Sequence, residues 1–264
     1  MAPFAFRRCV SSIYGENDYK DFEDFEDIDR IKPLGLLLLV KVDLWHVGTR
    51  YAKLIDFNYL ISVIKVNNIS EASTFNKLYN AGVNQPKCMH LIGHSLSGQL
   101  VARVGEHLVF PAYKITGLDF ADPLFLRDHL NVKDALFVDV IHTDAEDYGQ
   151  IFDSGSVNFK PNFGRRIQPS CPIVNIPFSD NAFCSHHRYW MFWAESLQNE
   201  IGFLAVKCSD SVKFALGLCD SKDIIPMGSC YTPECNRCLL VRTNAESPYT
   251  IAIYGTERIL VTLR

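Results

Sequence analysis

The segment HLIGHSLSG, running from His90 to Gly98, decides the fold. An apolar run, MHLI, leads into it and an amphipathic stretch, SGQLVARVGEHL, leaves it, so the chain turns sharply from strand to helix at Ser95. Such a turn strains the backbone of its central residue, and small residues two places before and after it let strand and helix approach. Gly93 and Ser97 are both small. Ser97 stands where the G-x-S-x-G pattern has its last glycine, and Gly98 follows at once. Ser95 is therefore a candidate nucleophile. The helix starting behind it sets the Leu96 N–H and the positive end of a helix dipole beside a developing oxyanion.

Outward from this turn the pattern alternates. LLLLVKV from Leu36 predicts a buried strand, Tyr51 to Val66 is apolar at helical spacing, and EASTFNKLYNAG predicts a short amphipathic helix closed by Gly82. KCMHLIG is the strand before Ser95, and KITGLD and LFVDVIH are two more buried strands. This βαβα succession predicts an α/β fold, a mostly parallel central sheet flanked by helices. Further on, FCSHHRYWMFWAESLQN predicts a helix opening near Ser185, and RILVTLR a final strand. Residues 34–264 are expected to form a single domain, with the C-terminal third as its extension. Residues 1–33, with the acidic stretch DYKDFEDFEDIDR, predict a poorly ordered N-terminal arm.

Bulk composition removes several classes. A 48% hydrophobic share with 21% charged residues over 264 positions predicts a globular chain with a sizeable core. A formal net charge of −4, with no stretch concentrating Lys and Arg, argues against a nucleic-acid partner. The run from Leu34 to Val40 is too short to span a bilayer, so no transmembrane segment is expected. Arg7 and Arg8 interrupt the start of the chain, and no secretory signal is legible there. The cysteines point the other way: of 9, Cys171, Cys184, Cys208, Cys219, Cys230, Cys235 and Cys238 crowd the C-terminal third, as in an oxidising compartment. A zinc site on Cys230, Cys235 and Cys238 is the competing use, but neither a second CxxC nor a spaced His pair accompanies it.

In α/β-hydrolases an acid and then a histidine follow the serine, at the ends of later strands. Asp119 ends KITGLD at the carboxyl edge of the sheet, where ligand crevices form, and is the candidate acid. Asp122, in Ala-Asp-Pro, is its rival, and Asp139 inside LFVDVIH suits a buried structural carboxylate. His129, His142, His186 and His187 are the downstream histidines. His186, next to a cysteine-anchored loop and opening a helix, is the candidate base, with adjacent His187 as its alternative.

With these residues in place, the chain resembles the pancreatic-lipase-like family of the α/β-hydrolase superfamily, in particular the arthropod group with phospholipases A1 and yolk-type proteins. The resemblance runs from about Val42 to Pro248. It rests on HLIGHSLSGQLVARVGEHL, ITGLDFADPLF, DALFVDVIHTD, GSVNFKPNFGRRIQPSC and FCSHHR, with later MG and TN signals. The family's nucleophile, acid and base fall on Ser95, Asp119 and His186, which demotes Asp122 and His187. What the resemblance implies is a secreted, extracellular serine carboxylic ester hydrolase of lipid catabolism. Its substrate would be a lipid ester, phospholipid or acylglycerol, met in transient contact with a lipid interface. The alternative is a catalytically weak or inactive lipid-binding, yolk-type homologue.

The family also carries an earlier strand ending in His-Gly and an aromatic residue, which donates the second oxyanion N–H. The residues before Leu34 do not match it, so the domain is expected to be N-terminally incomplete. Cys171 and Cys184 bracket PIVNIPFSDNAF, which corresponds to the family's lid, and a disulfide between them would fix its base. Ile173, Val174, Ile176 and Phe178 would be its lipid-facing residues. A lid this short resembles those of phospholipases A1 and galactolipases. Cys208 and Cys219 are spaced like a disulfide pair of the family. Of the carboxylates that hold calcium in some relatives, only Asp134 is clearly retained, so no metal is expected, and no organic cofactor is needed.

Overall fold

In the computed structural model the strand that leads into Ser95 is part of one mixed sheet. The structure describes residues 37–39, 57–82, 86, 89–121, 129–145, 147–173, 180–199, 201–208, 210–219, 224–228 and 237–256. Outside them lie the acidic arm, Asp122, the lid residues Val174, Ile176 and Phe178, Cys230, Cys235 and the final RILVTLR strand.

The strands are β1 (Leu37–Leu39), β2 (His90–His94), β3 (Ala112–Leu118), β4 (Ala135–Ile141), β5 (Val157–Pro161), β6 (Leu204–Lys207), β7 (Ile224–Pro226) and β8 (Arg237–Val241). They form an 8-stranded sheet in the order β1-β2-β3-β4-β5-β8-β6-β7. From β1 to β5 and on to β8 every pairing is parallel, and β6 then runs antiparallel to both β8 and β7. β8 therefore enters the sheet between two strands that precede it in the chain.

Because alternate side chains of a strand face opposite ways, each buried strand feeds two cores. On one face Leu91, Ile115, Val138 and Val140 pack with Ala72 and Phe75 of α1 (Phe57–Asn80) and Val101 and Val104 of α2 (Leu96–His107). On the other, Ile92, Leu118, Phe137 and Ile141 pack with Tyr189 and Phe192 of α3 (Cys184–Gln198). A third cluster joins Val206 and Leu240 to Phe214 of the short α4 (Ser211–Ala215). A mostly parallel sheet with helices on both faces and a serine turn between a parallel strand and a helix is the α/β-hydrolase fold. Two disulfides, Cys171–Cys184 and Cys208–Cys219, brace its C-terminal part.

One expectation fails. Tyr51–Val66 and the stretch from Glu71 do not make two helices; a single helix runs from Phe57 to Asn80. Asn67, Asn68 and Ser70 interrupt the apolar pattern, but neither Gly nor Pro occurs between Phe57 and Asn80, so nothing breaks the backbone ladder. Gly82, at φ +71°, ends it as expected, its N–H bonding the Tyr79 carbonyl at 2.9 Å.

The α3 face of the sheet also holds charge. Lys114 Nζ lies 2.8 Å from Asp139, with both side chains almost fully buried. Asp139 also accepts from the Thr116 hydroxyl at 2.5 Å, and His90 lies 2.7 Å from that same oxygen. Asp139 is thus a structural carboxylate, satisfied by its neighbours. Removing one partner of such a pair strands the other charge away from water. Lys114→Met is expected to cost about 3–5 kcal/mol in urea unfolding, and Lys114→Met/Asp139→Leu less than that single change.

Candidate active site

Three chain segments meet at the carboxyl edge of the sheet. The first is the turn between β2 and α2, where Ser95 sits at φ 51°, ψ −122°, a conformation an L-residue adopts only under constraint. The constraint is a mesh of backbone bonds. Ser95 N–H donates to the Leu118 carbonyl at 3.2 Å, and its own carbonyl accepts from Gly98 and Ala121, each at 3.0 Å. Gly93 is obligatory, since a Cβ there would lie 2.3 Å from the Ser97 carbonyl oxygen. Ser97 itself is buried and the helix runs through it, so serine in place of glycine leaves the turn intact. Leu96 is the first residue of α2.

The second segment is the end of β3. Asp119 follows the strand at φ 43° and is fully buried. A carboxylate so placed must recover in hydrogen bonds what it loses in hydration. Its Oδ1 accepts the backbone N–H groups of Thr143 and Asp144 at 2.7 and 3.0 Å, and its Oδ2 lies 2.6 Å from His186 Nδ1. Gly149 closes over it, for a Cβ at that position would sit 2.5 Å from Oδ1.

The third segment is the N-terminus of α3. The Cys171–Cys184 disulfide ties it to the preceding loop, and the Gln168 N–H donates to Ser185 Oγ at 3.0 Å. His186 is thereby presented to Asp119 from the second residue beyond Cys184. A carboxylate only accepts, so the proton of His186 lies on Nδ1 and leaves Nε2 as an acceptor. His94, adjacent to Ser95 in the chain, brings its ring centroid within 4.7 Å of that of His186 and stacks on Tyr189 at 4.0 Å.

The other histidines are placed differently. His142 is buried between the Gln150 carbonyl at 3.0 Å and Asn158 at 3.3 Å. His187 stacks against Phe183 at 6.0 Å instead of meeting Asp119. Ile173, at the near end of the bracketed loop, is 82% exposed. Asp134 turns both oxygens to Asn131, at 2.8 and 3.1 Å, and no group of three metal-ligand side chains occurs among the described residues. Cys238 is a free thiol, half-buried, with its pKa pushed up by burial.

Two features escape a sequence reading. The donors on Asp119 are backbone amides of residues 143 and 144, which side-chain identity does not reveal. His94 looks like a spacer between Gly93 and Ser95, yet it packs against both His186 and Tyr189. Its Nε2 is buried without a hydrogen-bond partner. Burial first, and then the nearby His186 and His187, holds its pKa well below 6.5.

An α/β-hydrolase with a serine elbow and a buried Asp–His pair is the class these features define. The chain belongs to the lipase family, whose family model matches residues 43–247. It is 36% identical to pancreatic lipase-related protein 2 of Bos taurus over 55% of this chain and 34% of that protein. It is 32% identical to pancreatic lipase-related protein 3 of Homo sapiens, over 66% of this chain and 41% of that protein. To phospholipase A1 member A of Pongo abelii it is 33% identical, over 70% of this chain and 41% of that protein. The match to each thus spans well under half of the relative's length.

The depressed pKa of His94 has a pH signature. Below about pH 6.5 the unfolded chain takes up a proton at His94 that the folded chain refuses, so the native state loses stability as pH falls. A glutamine there cannot titrate. The Tm advantage of the parent over His94→Gln is expected to shrink between about pH 8 and pH 5; a constant difference by differential scanning fluorimetry would remove this assignment.

Proposed function

We propose that the chain is a serine carboxylic ester hydrolase acting on lipid esters through an acyl-enzyme. The buried 2.6 Å contact between Asp119 and His186, beside a serine held at positive φ, carries this reading. His186 Nε2 takes the proton of the Ser95 hydroxyl as its oxygen attacks the ester carbonyl. Asp119 fixes the ring and stabilises the imidazolium that forms. The Leu96 N–H, at the start of α2, supports the oxyanion. Collapse of the tetrahedral intermediate expels the alcohol, protonated by His186, and water then releases the fatty acid by the same steps in reverse order. No organic cofactor enters these steps.

The loop from Cys171 to Cys184 serves as a lid, its base closed by the disulfide and its exposed Ile173 available to a lipid surface. The names of the relatives, pancreatic lipase-related proteins and a phospholipase A1, support acylglycerols or phospholipids as the substrate class. Two disulfides suit an extracellular enzyme. No helix among the described residues is long and apolar enough to cross a membrane.

The test is hydrolysis of p-nitrophenyl butyrate, tributyrin emulsion and phosphatidylcholine vesicles by the parent, Ser95→Ala, His186→Gln and Asp119→Asn. Each variant is expected to lose about 10³-fold or more in kcat, and the preferred substrate assigns the lipid class. Hydrolysis by Ser95→Ala at the parent's rate would overturn the enzyme reading. A parent that binds vesicles but hydrolyses none of the three would favour a lipid-binding homologue.

A further inference from the structure

The loop that holds Asp119 does not stand on its own. Asp144, whose N–H donates to Asp119, has a side chain with no exposure at all, and it forms an ion pair with Arg166. The guanidinium grips it with both arms: Nε donates to Oδ1 and Nη2 to Oδ2, each at 2.9 Å. Nη1 pairs with Asp147 in the same loop. Nη2 also donates to the carbonyl of Ala182, in the turn that leads into α3 and His186. The face of the guanidinium lies 5.2 Å from the Tyr148 ring, which stacks on Phe183 at 4.4 Å and lies 5.8 Å from His186. One side chain thus reaches the loop carrying the acid's donors and the turn carrying the base.

Resting on the reading of Asp119 and His186 as the acid–base pair, we propose that Arg166 is a positioning residue that locks the loop of residues 143–148 to the turn before α3 and so sets the distance between acid and base. The geometry explains why arginine stands there. A planar fork makes two parallel bonds to one carboxylate and still has donors for a carbonyl and a second carboxylate, whereas a lysine offers a single ammonium. Burial alone disfavours the guanidinium charge, but Asp144 and Asp147 hold it protonated. Asp144 is itself pushed up to about 7, chiefly by burial, with Arg166 opposing the shift. Without Arg166 a buried carboxylate would lose its counter-charge, and the loop would have to move to hydrate it. The Thr143 and Asp144 amides, and with them Asp119, would move too.

The experiment compares the parent chain with Arg166→Ala, Arg166→Lys, Ser95→Ala and His186→Gln. The His186 Nδ1 proton, shielded from solvent by its bond to Asp119, is followed by proton NMR and assigned by its loss in His186→Gln. In Arg166→Ala it is expected to vanish by exchange with water. With p-nitrophenyl butyrate, kcat should drop by up to about 10²-fold with KM within about twofold, and Arg166→Lys should fall between the two. A parent-like proton and kcat in Arg166→Ala would overturn the proposal even if Tm falls. Should Arg166→Ala fail to fold by circular dichroism, Arg166→Lys decides, and parent values of both there overturn it. A lost proton in Arg166→Ala together with undiminished hydrolysis by Ser95→Ala would sink the enzyme reading while leaving the positioning role in place.

Discussion

A carboxylate with no contact to water is the constraint around which the site is arranged. Asp119 leaves the sheet at positive φ, deep enough that each oxygen must find a donor inside the protein. Two backbone amides serve Oδ1 and an imidazole serves Oδ2. Satisfying one buried group therefore dictates the path of the loop after β4, the identity of Gly149, and the place where α3 begins. The same bonds that make the burial tolerable also fix which nitrogen of His186 carries the proton. Stability and chemistry share these contacts, so a change to either is felt in both.

The sheet supplies the rigidity that this arrangement needs. Two of its apolar clusters clamp β2 and β3 between α2 and α3, and the turns carrying Ser95 and Asp119 emerge side by side because those strands are adjacent and parallel. Deeper along the same strands, Lys114, Thr116, Asp139 and His90 form a buried polar set. That set lies away from the candidate site, and its groups are matched to one another.

Much of this was legible in the sequence, for reasons that differ by residue. Ser95 is marked by small neighbours and by a change of hydrophobic period on either side of it. Asp119 and His186 are marked by chain order and by their places at an element's end or start, and the structure brings the two together. The parallel sheet follows from alternating strands and helices. What could not be read depends on partners distant in the chain. The continuity of α1 turns on the absence of a breaker in a stretch where polar residues mimic one. The role of Arg166 depends on three segments meeting, and in sequence it is one of two adjacent arginines. The donors on Asp119 are main-chain groups, which any residue type would supply.

The position of β8 gives the fold a temporal order. Residues 237–241 lie between β5 and β6 in space, although both of those strands are made earlier. Until β8 arrives, the parallel part of the sheet ends at an open edge on β5, and the antiparallel β6–β7 pair has nothing to pair with on its inner side. Completion of the sheet is thus a long-range event, which loop-closure entropy makes slow and which exposes an unpaired edge meanwhile. During synthesis the chain must hold this gap open until the last part of the domain has left the ribosome.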